Sequence, residues 1–236
     1  EAEGNKHFSH FGPHSNHFDK LAELFETYGK TGSGKKRYYI HSDEEAAQHN
    51  KRLNTSLNPG EFTPWEDVPA GSDVLFYEGL HGLVKTDDVD VSKHVDLGIG
   101  VVPIVNLEWI QKIHRDGAER GYSADVIVDT ILRRMPDYVN YITPQFSRTD
   151  INFQRVSTVD TSNPFITRDI PTPDESFIVI RFREPKGVDF PYLLNMIPNS
   201  FMSRRNTLVV PGAKMGFAME LILAPIIQDM IANKGK

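Results

Sequence analysis

The sequence predicts an α/β layered domain built on a mixed, largely parallel central sheet. Two segments, Asp73–Tyr77 and Val95–Val105, are nearly continuous apolar runs, the pattern of strands covered on both faces. His17–Tyr28 places Phe18, Leu21, Leu24 and Phe25 on one helical stripe. Further along, strand-like and helix-like stretches alternate at the spacing of crossover units.

The elements follow in order. His7, His10, His14 and His17 are spaced like ligands on a helix face, but Gly12-Pro13 interrupts any such helix. A mobile, polar N-terminal segment is therefore expected there rather than a metal site. The 17–28 helix ends in the Gly-rich run 29–34, and Arg37–His41 is a short strand candidate. Ser42–Pro69 is polar and without period, which reads as a loop or flap inserted in a single 1–236 domain. The 73–77 strand stops at Glu78 within LFYEGLHG. After the 95–105 strand, Asn106 is placed to cap a helix to Arg115, and Ser123 to cap Ala124–Met135, which Pro136 closes. Ile151–Arg168 reads as turn-rich around Ser162-Asn163-Pro164. Ser176–Arg183 and Thr207–Val210 are strands, and Met215–Ala232 is the last helix, kinked at Pro225 and docked.

Composition narrows the function classes. With 39% hydrophobic and 25% charged residues, the 236-residue chain is ordinary for a soluble globular domain. A net charge of −6 argues against a nucleic-acid partner, so any phosphate is met by locally placed Arg and Lys. The absence of cysteine excludes disulfides, thiolate metal sites and Cys nucleophiles. The run 97–105 falls far short of the ~20 residues a membrane span needs. No membrane partner and a cytoplasmic location are expected. The first residue is Glu1, not Met, and the expectation is that the chain starts within a longer sequence.

Gly29–Lys35, G-K-T-G-S-G-K, fits the GxxxxGK part of a phosphate-binding loop. Lys36 stands where the magnesium-binding hydroxyl belongs, and a helix precedes where a strand is needed. The favoured reading is a helix C-terminus followed by a turn. Glu78, at the end of an apolar run, suits a water-mediated magnesium contact or a simple ion pair. In VNLEWIQKIHRDGAERG (105–121), Lys112 and Arg115 share one helical face and Arg120 is expected just past its end. They suit a phosphorylated substrate, or they pair with Glu108 and Asp116. Arg133-Arg134 suits a helix C-terminus through the dipole. Arg181, Arg183, Lys186, Arg204 and Arg205 suit an anionic effector or a subunit interface.

Several long segments carry a resemblance: LFYEGLHG, GVVPIVNLEWIQKIHRD, RGYS, DTILRRMPDYVNYITPQFSRTDINFQRV, TVDTSNPF, PTPDESFIVIRFR, DFPYLL, SFMSR and LVVPG. Together they resemble the bacterial type of phosphoribulokinase, from about Lys6 to the C-terminal helix. The resemblance implies a P-loop-kinase-like layered fold. It also implies MgATP-dependent phosphorylation of D-ribulose 5-phosphate to D-ribulose 1,5-bisphosphate in the Calvin cycle. By the same resemblance, Glu78 and Lys112 are catalytic, with Glu78 handling magnesium. His41, Arg115 and Arg120 bind the sugar phosphate. Arg133, Arg181 and Arg204 answer to NADH as activator and AMP as inhibitor, and the assembly is a homo-oligomer. The family's opening strand, P-loop and helix, and the Asp that serves as general base, do not match any segment here. That departure implies an N-terminally truncated chain, inactive and poorly stable alone. A second reading is a non-catalytic subunit that binds sugar phosphate or effector.

Overall fold

A computed structural model describes residues 8–234. Helix α1 (Phe18–Thr31) buries Phe18 and Phe25, as its apolar stripe requires. It ends at Gly32, whose φ of 68° is the left-handed cap conformation, with its N–H bonded to the Tyr28 carbonyl. Strand β1 (Lys35–Lys36) then pairs antiparallel with β2 (Glu66–Asp67). Gly29–Lys35 therefore runs from helix to strand, as the spacing argument expected, and not from strand to helix as a phosphate loop does.

The 42–69 segment is more ordered than an aperiodic loop. Helix α2 (Asp43–Leu53) occupies its first half. Ser42 caps it by accepting from the Glu45 amide at 3.2 Å, while the Glu45 carboxylate accepts from the His41 amide at 2.8 Å. The Ser42 bond satisfies a donor that the first helical turn would leave bare, and the Glu45 bond ties the residue before the cap to the same turn. The expected 37–41 strand is reduced to one bridge between Tyr39 and Phe62.

The central sheet has five strands in the order β3 (Ile99–Pro103), β4 (Ile151–Ser157), β5 (Ser176–Phe182), β7 (Thr207–Pro211), β6 (Phe201–Arg204). It is mixed, as expected, but not largely parallel. Only β3 and β4 run parallel; β4–β5, β5–β7 and β7–β6 are antiparallel. The reason lies in the connections: long helices carry β3 to the neighbouring β4, whereas the one later helical connection, from β5 to β6, skips a position that β7 then fills antiparallel to both. The expected 73–77 strand is absent, leaving Val74, Phe76 and Tyr77 exposed, because no described strand supplies it with a ladder partner. Conversely, the 151–168 stretch begins with a full strand, β4, where turns alone were expected.

The core forms on one face of this sheet. Ile151 and Phe153 of β4, and Ile178, Ile180 and Phe182 of β5, alternate inward. Leu193 of α5 (Phe190–Met196), Ile197, and Ala218 and Ile222 of α6 (Met215–Ala232) close over them. Pro225 sits inside α6 without ending it. That helix is the one among the described residues long and apolar enough to cross a membrane, with 11% of its apolar window buried. A satellite core joins Phe18 and Phe25 to Val84 and Val91.

Helices α3 (Val105–Arg120) and α4 (Ala124–Asp137) pack as neighbours beyond β3. α3 begins one residue earlier than expected, with Ile104 in the capping position, and runs past Arg115 to include Arg120, ending only at the left-handed Gly121. Asn106 instead donates from its side chain to the Thr161 carbonyl at 3.0 Å. Pro136 does not close α4 at Met135. It lies in the final turn, and the chain widens into a π-type turn (Tyr138–Ile142) and a 3-10 turn (Thr143–Ser147). Losing one backbone donor to proline is absorbed by this change of pitch.

Candidate active site

The C-terminal half of α3 gathers three cations around one carboxylate. Asp116 is buried, and Lys112 donates to its Oδ2 from one turn earlier. Arg115 Nε donates to Oδ1 at 3.1 Å, and Arg120 Nη1 lies 3.4 Å from the same oxygen. Burial alone would raise the Asp116 carboxyl, but hydrogen bonds from Lys112 and Arg115 outweigh it and hold the group below its ordinary range. The Lys112 side chain is largely covered, whereas those of Arg115 and Arg120 stay half-exposed and can meet a ligand. A surplus of positive charge fixed on a rigid helix suits a phosphate dianion.

Of the two pairings weighed for the cations, Asp116 is the one formed. Glu108 turns to α4's end instead, where Tyr138 Oη donates to Oε2 at 2.8 Å. Burial raises the Glu108 carboxyl. Burial and the adjacent Glu108 charge push the Tyr138 hydroxyl up as well. Asp116 is the residue that sequence reasoning undervalued. The Lys112–Asp116 spacing of four was legible, but nothing in the sequence told a surface pair from a buried hub.

Residues 8–16 lie over this region. Ser9 Oγ donates to the Asp137 carboxylate at 2.7 Å. Arg134 donates to His10 Nδ1 at 3.2 Å. His81 Nε2 lies 3.0 Å from the Phe11 carbonyl, and Phe11 meets the Tyr138 ring edge-on at 5.5 Å. His81 itself is buried, which lowers its imidazole. Ser9, His10, His81 and Arg134 thus join the neighbourhood of α3, a grouping spread over 126 positions of sequence that no local spacing reveals. His7 lies outside the described residues.

The remaining expected residues are more dispersed. Glu78 is exposed in the loop before His81 and makes no ion pair with another described residue. Gln145 steadies that loop, donating to the Leu80 carbonyl at 2.8 Å and accepting from the Leu83 amide at 3.0 Å. His41 is exposed before α2, its ring 4.9 Å from Tyr39, and no hydrogen bond or ion pair joins it to the α3 cluster. Arg133 pairs with Asp129 at 3.0 Å on α4. Arg181 donates to the Phe146 carbonyl at 2.9 Å. Arg181 and Arg204 both face Thr207 across their ladders, so they stand in one transverse row of the sheet, whereas Arg133 lies on α4.

For magnesium, the fit is partial. Mg2+ commonly takes one or two carboxylates and completes its shell with waters and substrate phosphates. Glu78, exposed and unpaired, suits that single-carboxylate share.

The family profile of "Phosphoribulokinase / Uridine kinase" matches residues 1–162. The chain belongs to this family. Among members of the phosphoribulokinase/uridine kinase family, the phosphoribulokinase of Nitrobacter vulgaris is 62% identical over 231 residues, 98% of this chain and 78% of that protein. The phosphoribulokinase of Xanthobacter flavus is 61% identical over 222 residues, covering 94% of this chain and 74% of the relative. The solved structure titled phosphoribulokinase from Rhodobacter spheroides superposes with a TM-score of 0.86 at 53% identity, covering 98% of this chain and 78% of that one. Family membership thus agrees with an α/β fold on a mixed sheet and with kinase activity.

Proposed function

We propose that the protein is a phosphoribulokinase, transferring the γ-phosphoryl group of ATP to the 1-hydroxyl of D-ribulose 5-phosphate. The observation that carries this reading is the identity of about 60% to proteins of that name along nearly the whole chain, helix α3 included. In the reaction the hydroxyl oxygen attacks the γ-phosphorus, the bond to the β–γ bridging oxygen breaks, and ADP leaves as ribulose 1,5-bisphosphate forms. Arg115 and Arg120 grip the 5-phosphate, with His41 closing from the 37–41 segment. Lys112, held in place by Asp116, meets the negative charge on the transferring group. Magnesium, when bound near Glu78, neutralises charge between the β- and γ-phosphates. The kinase name of the relatives favours this reading over a non-catalytic subunit.

The finer parts of the reading rest on less. Gly29–Lys35 has the wrong flanking elements to cradle ATP phosphates, and we assign the nucleotide loop and the general-base Asp to a strand–P-loop–helix unit that no segment here matches. On that view the chain alone turns over no substrate. NADH activation and AMP inhibition through Arg133, Arg181 and Arg204 are supported for the latter two by their shared row. Homo-oligomer formation and a cytoplasmic location complete the proposal.

The test is MgATP-dependent phosphorylation of ribulose 5-phosphate, with NADH present, by the chain alone and after joining the strand–P-loop–helix unit of a relative. Activity only in the joined protein, lost on Lys112→Met, supports the reading. Activity in the chain alone overturns the external P-loop. Sustained inactivity of the folded, joined protein overturns the kinase assignment.

A further inference from the structure

We propose that His10 is a substrate-contacting residue that reads a hydroxyl of the sugar phosphate through a neutral imidazole, complementing the cations that bind its phosphate. The inference rests on the sugar-phosphate reading of the α3 cluster.

The geometry assigns the ring's tautomer. A guanidinium carries only donors, so the 3.2 Å approach of Arg134 Nη1 makes His10 Nδ1 the acceptor and leaves the ring proton on Nε2. Nε2–H is then a donor available to a ligand, because the residue keeps an exposed edge although protein packs around much of its ring. The backbone around it is held at several points. Asn16 Nδ2 donates to the His10 carbonyl at 2.9 Å. Ser9 is tied to Asp137, and the Phe11 carbonyl lies 3.0 Å from His81 Nε2. Gly12 lies so close to Asp137 that a Cβ there would come 2.5 Å from its carboxylate oxygen. The His10 ring lies tilted against that of Phe11, centroids 4.2 Å apart, so its direction is limited by packing as well as by Arg134.

The packing around the ring and the charge near it keep it neutral. Burial comes first, then Arg134 of α4, Lys112 of α3, His81 of the 79–82 loop and Arg115 of α3, each opposing a proton, and together they lower the imidazole to about 4. A neutral donor placed among cations adds little to the grip on a phosphate. What it adds is a directional hydrogen bond, which is how a site tells a polyol from bare phosphate. Metal binding does not explain the residue, since no group of three or more ligating side chains occurs among the described residues.

The experiment is calorimetric titration of the 236-residue chain with ribulose 5-phosphate and, separately, with inorganic phosphate, for wild type, His10→Phe, His10→Gln and Arg115→Ala. Circular dichroism and Tm establish that each variant is folded. His10→Phe is expected to weaken ribulose 5-phosphate about tenfold, the worth of one hydrogen bond lost from a desolvated partner. It should leave inorganic phosphate unchanged, and Gln, which carries an amide donor near the Nε2 position, should recover most of the loss. Arg115→Ala should weaken both ligands. Equal sugar-phosphate affinity in wild type and His10→Phe overturns the role of His10 while leaving the site intact. So does parallel loss of inorganic phosphate, or a wild-type advantage that grows as pH falls from 8 to 6, because either marks a cationic contact. Wild-type protein that binds neither ligand overturns the reading of the α3 cluster itself, and this inference with it.

Discussion

Asp116 sits where one acid must satisfy several cations, and the asymmetry of that arrangement governs its mutation. Asp116→Asn keeps the shape but removes the charge that gathers Lys112, Arg115 and Arg120. Because both arginines are half-exposed they can turn to water, so the stability loss should be moderate, about 1–3 kcal/mol, rather than that of a fully stranded charge. The loss of convergence is expected to be the larger effect, with ribulose 5-phosphate affinity falling at least about tenfold. Urea unfolding and ligand titration on the same preparation separate the two. His10 gives a second prediction. Its folded value of about 4 lies below the ordinary 6.5, so between those limits the unfolded chain binds more protons. Stability should therefore fall as pH drops from 6.5 toward 4, and His10→Gln should remove that part of the slope. Thermal melts of both proteins across that range provide the check, and parallel curves would refute it.

Among the elements, α2 shows how a legible signal is passed over. Ser42 and Glu45 stand at the spacing of a capping box, yet the polarity and prolines of 42–69 hide the helix they start. Ser42→Ala should cost about 1 kcal/mol and speed amide exchange through Asp43–Leu53, with little change in the central sheet. Exchange altered equally in β4 and β5 would count against so local an effect. Elsewhere the sequence was readable where pattern and packing agree. α1 and α6 follow from their apolar content, and β5 from its alternation of Ile178, Ile180 and Phe182. Strand direction was not readable. Continuous apolar runs report two covered faces, but parallel or antiparallel pairing depends on how later segments return, as β7 and β6 do. For the site, the cations of α3 could be named from spacing and resemblance. The overlying residues 8–16 could not, because Ser9–Asp137 and His10–Arg134 are long-range contacts.

For the molecule as a whole, the sheet ends on β3, whose Val101 is 55% exposed and pairs on one side only. Phe76 is 79% exposed, and α6 shows Phe217, Met230 and Ile231 to solvent. An open strand edge beside exposed apolar side chains favours association. Light scattering of the chain should therefore show concentration-dependent mass, and Val101→Lys, a charge on the open edge, should lower it by at least half, on the order of what gatekeeper charges achieve. A monodisperse monomer at all concentrations would remove this account.

The loop beneath Glu78 has one further property. Leu83, a buried residue outside any strand or helix, has its amide held by the Gln145 side chain rather than by a backbone ladder. Its hydrogen therefore trades with deuterium only when Gln145 lets go. Since the same amide group also clasps Leu80 and the Tyr141 carbonyl, that single isotope signal times the loosening of the whole junction between loop and helix. One backbone proton thus serves as a clock for motions at the site that no secondary-structure signal would register.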